Sequence, residues 1–315
     1  MLEFFLNGLY RKAKSNTTRL DKFMPKNNSQ KTPLNQWIFT ARCEDRLGIV
    51  AAVSTKLHKL GFFIEEAAQY GDLETNQFYM RLQVRNDSDV AGADFAKDFE
   101  TIAEKFGINW QLRNMKDRPK VLLMVSKFEH CLSDLIYRHR IGELNADITT
   151  IVSNHEDLRH LADDAGIPFH HIPITKATKP EAEDKLTKLI EETGSDLIVL
   201  ARYMQILSAE MCTKYPARII NIHHSFLPSF KGAKPYHRAH ARGVKLIGAT
   251  AHYVTPDLDE GPIIEQSVER VDHSKTAQDL VRLGRDVERR ALAKAVKMHL
   301  DQRVFLSGIR TVVFP

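Results

Sequence analysis

Residues 219–264 read IINIHHSFLPSFKGAKPYHRAHARGVKLIGATAHYVTPDLDEGPII, and this stretch decides the fold. Two apolar runs, 218–222 and 245–254, have the length and composition of buried strands. Polar side chains close each run: Asn221, His223, His224 and Ser225 on the first, His252, Thr255, Asp257 and Asp259 along the second. Pro228, Gly232 and Pro235, then Pro256, Gly261 and Pro262, predict shaped loops rather than helices after both strands. Open α/β sheets bind their ligands at the carboxyl ends of strands. An amide, an imidazole and a carboxylate gathered there suit attack on a carbonyl carbon without a side-chain nucleophile.

The surrounding chain follows the same alternation. Strand-like runs at 121–126, 148–153 and 196–201, with an edge strand at 169–174, alternate with helical segments at 131–140, 158–165 and 179–193. That order predicts an α/β domain with a doubly wound, mostly parallel sheet. A long helix is expected over 276–299, where Arg285-Asp286 and Glu288-Arg289-Arg290 read as a solvated face. Residues 303–314 read as a short hairpin around Ser307-Gly308.

The N-terminal half has a different rhythm. Residues 37–43 alternate like a strand, and Asp45-Arg46-Leu47-Gly48-Ile49 turns into a helix with Val50, Val53, Leu57 and Leu60 on one face. A hairpin over 62–70 and 76–85, a helix over 92–106 and a strand over 108–113 complete the order βαββαβ, which is ferredoxin-like. The opening CEDRLGIVAAVSTKLHKLGFFIEEAAQY resembles an ACT domain, a small regulatory module that commonly binds amino acids. The resemblance implies an amino-acid effector at Asp45, Arg46, Leu47, Gly48 and Ile49, with helix-start amides facing its carboxylate. The alternative is that this turn only caps its helix and packs between subunits. ACT modules usually pair, so the resemblance also implies a homo-oligomer. Residues 116–120 form a charged linker between domains at 36–115 and 121–315. Residues 1–35 read as a basic, flexible extension, an organelle transit peptide being the alternative.

At 315 residues the chain suits two domains, and 43% hydrophobic with 27% charged residues is an ordinary soluble composition. The net charge of +5 comes with no nucleic-acid-binding motif, so a polyanionic small molecule is the expected partner. No apolar stretch approaches the ~18 residues of a membrane span. Cys43, Cys131 and Cys212 are far apart and lack CxxC spacing, which argues against a disulfide framework or zinc ribbon and suits the cytoplasm.

Residues 120–313 resemble the formyltransferase fold family, whose members move a formyl group from 10-formyltetrahydrofolate. The family pattern is met by Asn221, His223, Ser225, Leu227, Pro228, Gly232, Thr250, His252, Asp259, Gly261 and Pro262. The resemblance implies that Asn221, His223 and Asp259 are catalytic. Asn221 and a protonated His223 would donate to the oxygen on which charge develops, and Asp259 would hold the imidazolium, orient water and relay protons. His252 is implied to support the Asp259 loop, and Ser225 the turn that carries His223. The segment Arg202, Tyr203, Met204, Gln205, Ile206 and Leu207 matches the family's pterin pocket, although Ile206 and Leu207 also suit a helix-start core. His224, His237 and His240 read as structural, and Asp257 as a turn residue. A metal held by three ligands drawn from His223, His224, His237, His240, His252 and Asp259 is the rival. It is weakened because His237 and His240 lack the i, i+4 spacing, and no metal or redox cofactor is expected.

Relatives that formylate glycinamide ribonucleotide carry a Gly-Ser-Gly-x-Asn loop after the first strand, whose amides cradle a phosphate. Here Ser126-Lys127-Phe128-Glu129-His130-Cys131 has no glycine, and Phe128 and Glu129 do not suit a phosphate. Together with the ACT-like module, this resembles the branch that hydrolyses the donor to formate and tetrahydrofolate, balancing the one-carbon pool that serves purine synthesis. A transferase with an unidentified amine acceptor and a non-catalytic folate or amino-acid sensor are the alternatives.

Overall fold

A computed structural model describes residues 35–86, 92–227 and 235–315, with backbone alone at 92–94. Residues 1–34 of the N-terminal extension lie outside the described residues, as do Pro228 and Gly232. The first lobe runs β1 (Asn35–Glu44), α1 (Ile49–Lys59), β2 (Phe62–Asp72), β3 (Gln77–Asn86), α2 (Gly92–Phe106) and β4 (Asn109–Asn114). Its sheet is antiparallel in the order β2-β3-β1-β4, the ferredoxin-like topology expected from βαββαβ. Alternation along β3 sends Phe78, Met80, Leu82 and Val84 into a core with both helices, where Phe39, Phe95, Phe99 and Trp110 form an aromatic cluster.

Tyr79 and Arg81 between them are buried as well, since that part of the sheet's other face is covered. Tyr79 packs edge-on against Phe305, and Arg81, 1% exposed, donates from Nε to the Asp301 carbonyl at 2.9 Å. Arg113 donates to the neighbouring Leu300 carbonyl. Two arginines of the first lobe thus meet the final carbonyls of a helix in the second, where the backbone has acceptors to spare.

The second lobe runs β5 (Lys120–Val125), α3 (His130–Arg140), β6 (Asp147–Ser153), α4 (Arg159–Ala165), β7 (Phe169–His171), α5 (Lys179–Thr193) and β8 (Leu197–Leu200). It continues through α6 (Ala209–Lys214), β9 (Ile219–His223), α7 (Pro235–Ala241), β10 (Leu246–Tyr253), β11 (Ile263–Arg270), α8 (Ala277–Leu300), β12 (Val304–Ser307) and β13 (Arg310–Val313). The sheet order is β11-β10-β9-β8-β5-β6-β7. Strands β7, β6, β5, β8 and β9 are parallel, and β10 and β11 are antiparallel additions. Both faces of the parallel part are covered, which explains continuous apolar runs such as Val121–Val125.

Two expectations need correction. Pro235 does not keep its segment in a loop; it opens α7, at the first helical position, where a missing N–H costs nothing. The charged face of α8 is not wholly solvated, since Glu288 is 2% exposed. It lies on the stripe of Leu280, Gly284, Val287, Ala291 and Leu292, so helical periodicity, rather than charge clustering, carried the information. Strand β11 and helix α6 also went unread. The hairpin β12–β13 lies where residues 303–314 predicted one.

Candidate active site

Strands β5, β8 and β9 are adjacent and parallel, so their carboxyl ends open on the same side. Antiparallel pairing then sets His252 of β10 directly opposite Asn221 of β9, and Thr250 opposite His223. The Thr250 hydroxyl donates to the Ser225 carbonyl at 3.0 Å and accepts from the Leu227 N–H at 3.1 Å, which pins the turn after His223. A cavity of about 600 Å³ opens at these strand ends, lined by Asn221, His223, His224, His252 and Asp259 on one side and by 202–207 on the other.

The three residues expected to be catalytic meet there. His223 Nδ1 stands 3.3 Å from Asp259 Oδ2, and His223 is 7% exposed. The hydrogen bond and charge of His223 hold the Asp259 carboxyl below its ordinary range against the opposing effect of burial. His252 Nδ1 lies 2.9 Å from the Tyr253 carbonyl, which can only accept, so Nδ1 carries the proton. Its Nε2 therefore accepts from Asn221 Nδ2 at 3.3 Å, and burial keeps the ring neutral by lowering its pKa. That orients Asn221 and leaves its second amide N–H available. His252 was expected to support the Asp259 loop; its nearest approach to Asp259 is 3.9 Å, and its hydrogen bond goes to Asn221.

Asp259 has φ +58°, in the left-handed region that an aspartate adopts more readily than most residues. The loop behind it depends on Gly261, where an added Cβ would lie 1.7 Å from the Tyr253 carbonyl oxygen. Ser225 is buried and is bonded through its carbonyl. Two ring nitrogens, His223 Nε2 and His224 Nδ1, are buried without a hydrogen-bond partner among the described residues.

Behind the cavity lies a polar cluster that sequence reasoning missed. Glu288 accepts from His130 Nε2 at 2.8 Å and from the Tyr236 hydroxyl at 2.7 Å, and its Oε2 lies 3.2 Å from Arg202 Nε. Burial pushes the Glu288 carboxyl up, but the His130 bond, the Arg202 charge and the Tyr236 hydroxyl outweigh it and hold the group ionised. Gly284, one helical turn earlier, leaves room for the tyrosine ring, since a Cβ there would lie 2.1 Å from Tyr236 Cζ. Phe128 covers the Arg202 guanidinium at 5.3 Å.

Among the described residues, one group of potential ligands is close enough to share a cation: His130, Cys131 and Glu288. Its carboxylate is already shared with Arg202, and burial keeps the Cys131 thiol protonated, so the donor set does not suit a metal. Of the six residues considered from sequence, His237 and His240 stand exposed on α7, apart from the cavity that the other four line.

The loop at 202–207 hangs from β5. The Ser126 hydroxyl accepts from the Met204 N–H at 2.9 Å, and the Ser126 N–H donates to the Arg202 carbonyl at 3.2 Å. Arg202 has φ +65°, a conformation of a kind that costs about 1–3 kcal/mol and persists only where surroundings enforce it. Met204 and Ile206 stand half-exposed or more at the cavity, with Gln205 between them. Tyr203 and Leu207 line it from the hydrophobic core, so the core alternative holds for Leu207 and not for Ile206. At the first lobe's turn, Gly48 takes φ +96° ahead of α1, Ile49 is buried, Leu47 is fully exposed and Arg46 pairs with Glu44. The Asp45 carboxylate lies over Gly71.

Residues 119–296, which carry this mostly parallel sheet and the Asn–His–Asp constellation at its strand ends, match the family model described as formyl transferase. The chain is 51% identical over 278 residues to a formyltetrahydrofolate deformylase of Corynebacterium sp. (strain P-1), spanning 88% of this chain and 97% of that protein. Among solved structures, the formyltetrahydrofolate deformylase of Burkholderia mallei aligns with a TM-score of 0.85 at 51% identity, covering 89% of this chain and all of that one. That of Pseudomonas syringae pv. tomato aligns at 0.88 and 44%, covering 91% and 96%. The chain belongs to the formyltetrahydrofolate deformylase family.

Proposed function

We propose that the protein hydrolyses 10-formyltetrahydrofolate to formate and tetrahydrofolate, with Asn221, His223 and Asp259 as the catalytic residues. The observation that carries this is the meeting of those three residues at a folate-sized cavity in a chain half identical to named deformylases. The apolar pair Met204 and Ile206 offers walls for a planar ring, while backbone groups of 202–207 meet its polar edge. The formyl oxygen then lies against the second Asn221 amide N–H and His223 Nε2. Because the Nδ1 proton faces Asp259, Nε2 donates when the ring is an imidazolium, and the Asp259 carboxylate compensates that charge.

Water adds to the formyl carbon, the oxygen takes the displaced pair, and collapse expels N10, which receives a proton. Asn221 and His223 stabilise the charge that develops on the oxygen, Asp259 compensates the imidazolium, and the reading asks for no metal or redox cofactor. Formate release from 10-formyltetrahydrofolate with chelator present and no acceptor added tests it. Asp259→Asn should lower kcat by about 10²-fold or more while tetrahydrofolate binding persists. Release that requires an added amine would instead make the protein a transferase, and binding without turnover a sensor.

The first lobe is proposed to bind an amino acid and to pair with a second copy. Support for pairing is the edge strand β2, which exposes Phe63, Ile64 and Tyr70. Light scattering that returns a monomer would remove that part. No helix among the described residues is long and apolar enough to cross a membrane. On this reading the enzyme works in the cytoplasm, where its three buried thiols stay reduced.

A further inference from the structure

Hydrolysis sets a requirement that transfer to an amine does not. A neutral amine attacks with its own lone pair, whereas water at neutral pH attacks a formamide only if a base takes its proton as the bond forms. The three family residues leave that role unfilled. Asn221 is an amide with no basic nitrogen. Asp259 is engaged by His223 at 3.3 Å, and His223 is committed to the developing oxyanion.

His224 is the remaining imidazole at the same wall of the cavity. Its ring lies 5.2 Å from that of His223, centroid to centroid and tilted by 57°, so the two rings flank one small space. Its Nδ1 is buried and has no hydrogen-bond partner among the described residues, unlike His252, whose two nitrogens are both used. A buried polar atom left without a protein partner calls for a water or a ligand. The charged and titratable groups around it come from four elements: Arg202 after β8, His223 on β9, Asp259 after β10 and Glu288 on α8. Burial, Arg202 and His223 outweigh the two carboxylates and push the imidazole down to about 4, so the ring is neutral at pH 7 and keeps a nitrogen lone pair free to accept a proton.

We propose that His224 is a further catalytic residue, the base that takes a proton from the attacking water through its unpartnered ring nitrogen. This rests on the hydrolase reading above and explains how that site uses water. As the water oxygen bonds to the formyl carbon, one water proton passes to His224 and the carbonyl π pair moves to the oxygen held by Asn221 and His223. Collapse restores the C=O bond and breaks C–N10, and N10 receives the proton from His224. Formic acid then loses its remaining acidic proton to solvent. Water and the formamide are consumed, formate, a proton and tetrahydrofolate leave, and the ring returns to its neutral form.

The test uses the full chain carrying His224→Asn and, separately, His224→Ala, with formate release, tetrahydrofolate binding and formyl transfer to added hydroxylamine measured in parallel. Neutral hydroxylamine is a strong nucleophile and needs no base to attack. Both variants should lose about 10²–10⁴-fold in hydrolytic kcat, keep KM and tetrahydrofolate affinity within threefold, and retain most of the hydroxylamine reaction. Free imidazole should restore part of the hydrolysis to His224→Ala. Hydrolysis within threefold of the parent, or equal loss of hydrolysis and hydroxylamine transfer, would overturn the assignment. If His224→Ala fails to fold, His224→Asn decides alone. Absence of formate release from the unaltered protein would instead remove the hydrolase reading on which the proposal rests.

Discussion

Replacing Gly261 by alanine should separate the geometry of the active-site loop from its chemistry. The added Cβ would lie 1.7 Å from the Tyr253 carbonyl oxygen and 2.9 Å from the Tyr253 carbonyl carbon, with His252 Nδ1 at 3.3 Å. The first two are backbone atoms of a central strand, so no rotamer change relieves the overlap. Restoring an ordinary contact requires the loop and β10 to separate by more than an ångström. The Tyr253 N–H to Pro262 carbonyl bond, now 2.9 Å, anchors the same segment and would be lost. Overpacking together with one forfeited backbone bond costs roughly 2–4 kcal/mol of stability. Asp259 sits two residues upstream, 3.3 Å from His223, and a displacement near 1 Å costs about 10²-fold in rate. Stopped formate-release assays and urea unfolding of Gly261→Ala read the two effects together. Asp259→Asn is the control, because it removes the charge without moving backbone. A Gly261→Ala protein with kcat within threefold and an unchanged urea midpoint would refute the reasoning.

The Glu288 cluster predicts that Glu288→Gln, which keeps the volume but removes the charge beside buried Arg202, destabilises the fold by about 3–5 kcal/mol in urea titrations. His224 and His299 both have pKa values pushed down to about 4 by burial, from 6.5, so the folded protein binds fewer protons than the unfolded chain between those limits. Stability should therefore be flat above pH 6.5 and fall as pH drops towards 4, by on the order of 3 kcal/mol per histidine; equal urea midpoints at pH 7.5 and 5 would contradict this. Arg81→Met should weaken the contact between the first sheet and the end of α8, and calorimetry should resolve two transitions where the parent shows one.

Reading the chain in order located nearly every strand, because period-2 and continuous apolar runs report directly on which faces are covered. It also named the residues that meet in the cavity, since Asn221, His223 and Asp259 sit at strand ends marked by proline and glycine. Charge misled where periodicity did not. Glu288 stands in a charged run yet faces inward, held by His130, Tyr236 and Arg202 from three distant segments.

By itself the sequence determined the two folding patterns, the order of elements and the types of side chain at the strand ends, all properties of local periodicity and punctuation. Tertiary structure decided what each group does. Antiparallel register put His252 opposite Asn221, so it orients the amide while its Nε2 stands 3.9 Å from Asp259. Pairing separated His223, engaged by Asp259, from His224, whose Nδ1 is left without a partner. Protonation and partnership depend on burial and on neighbours far apart in the chain, and spacing along the chain encodes neither.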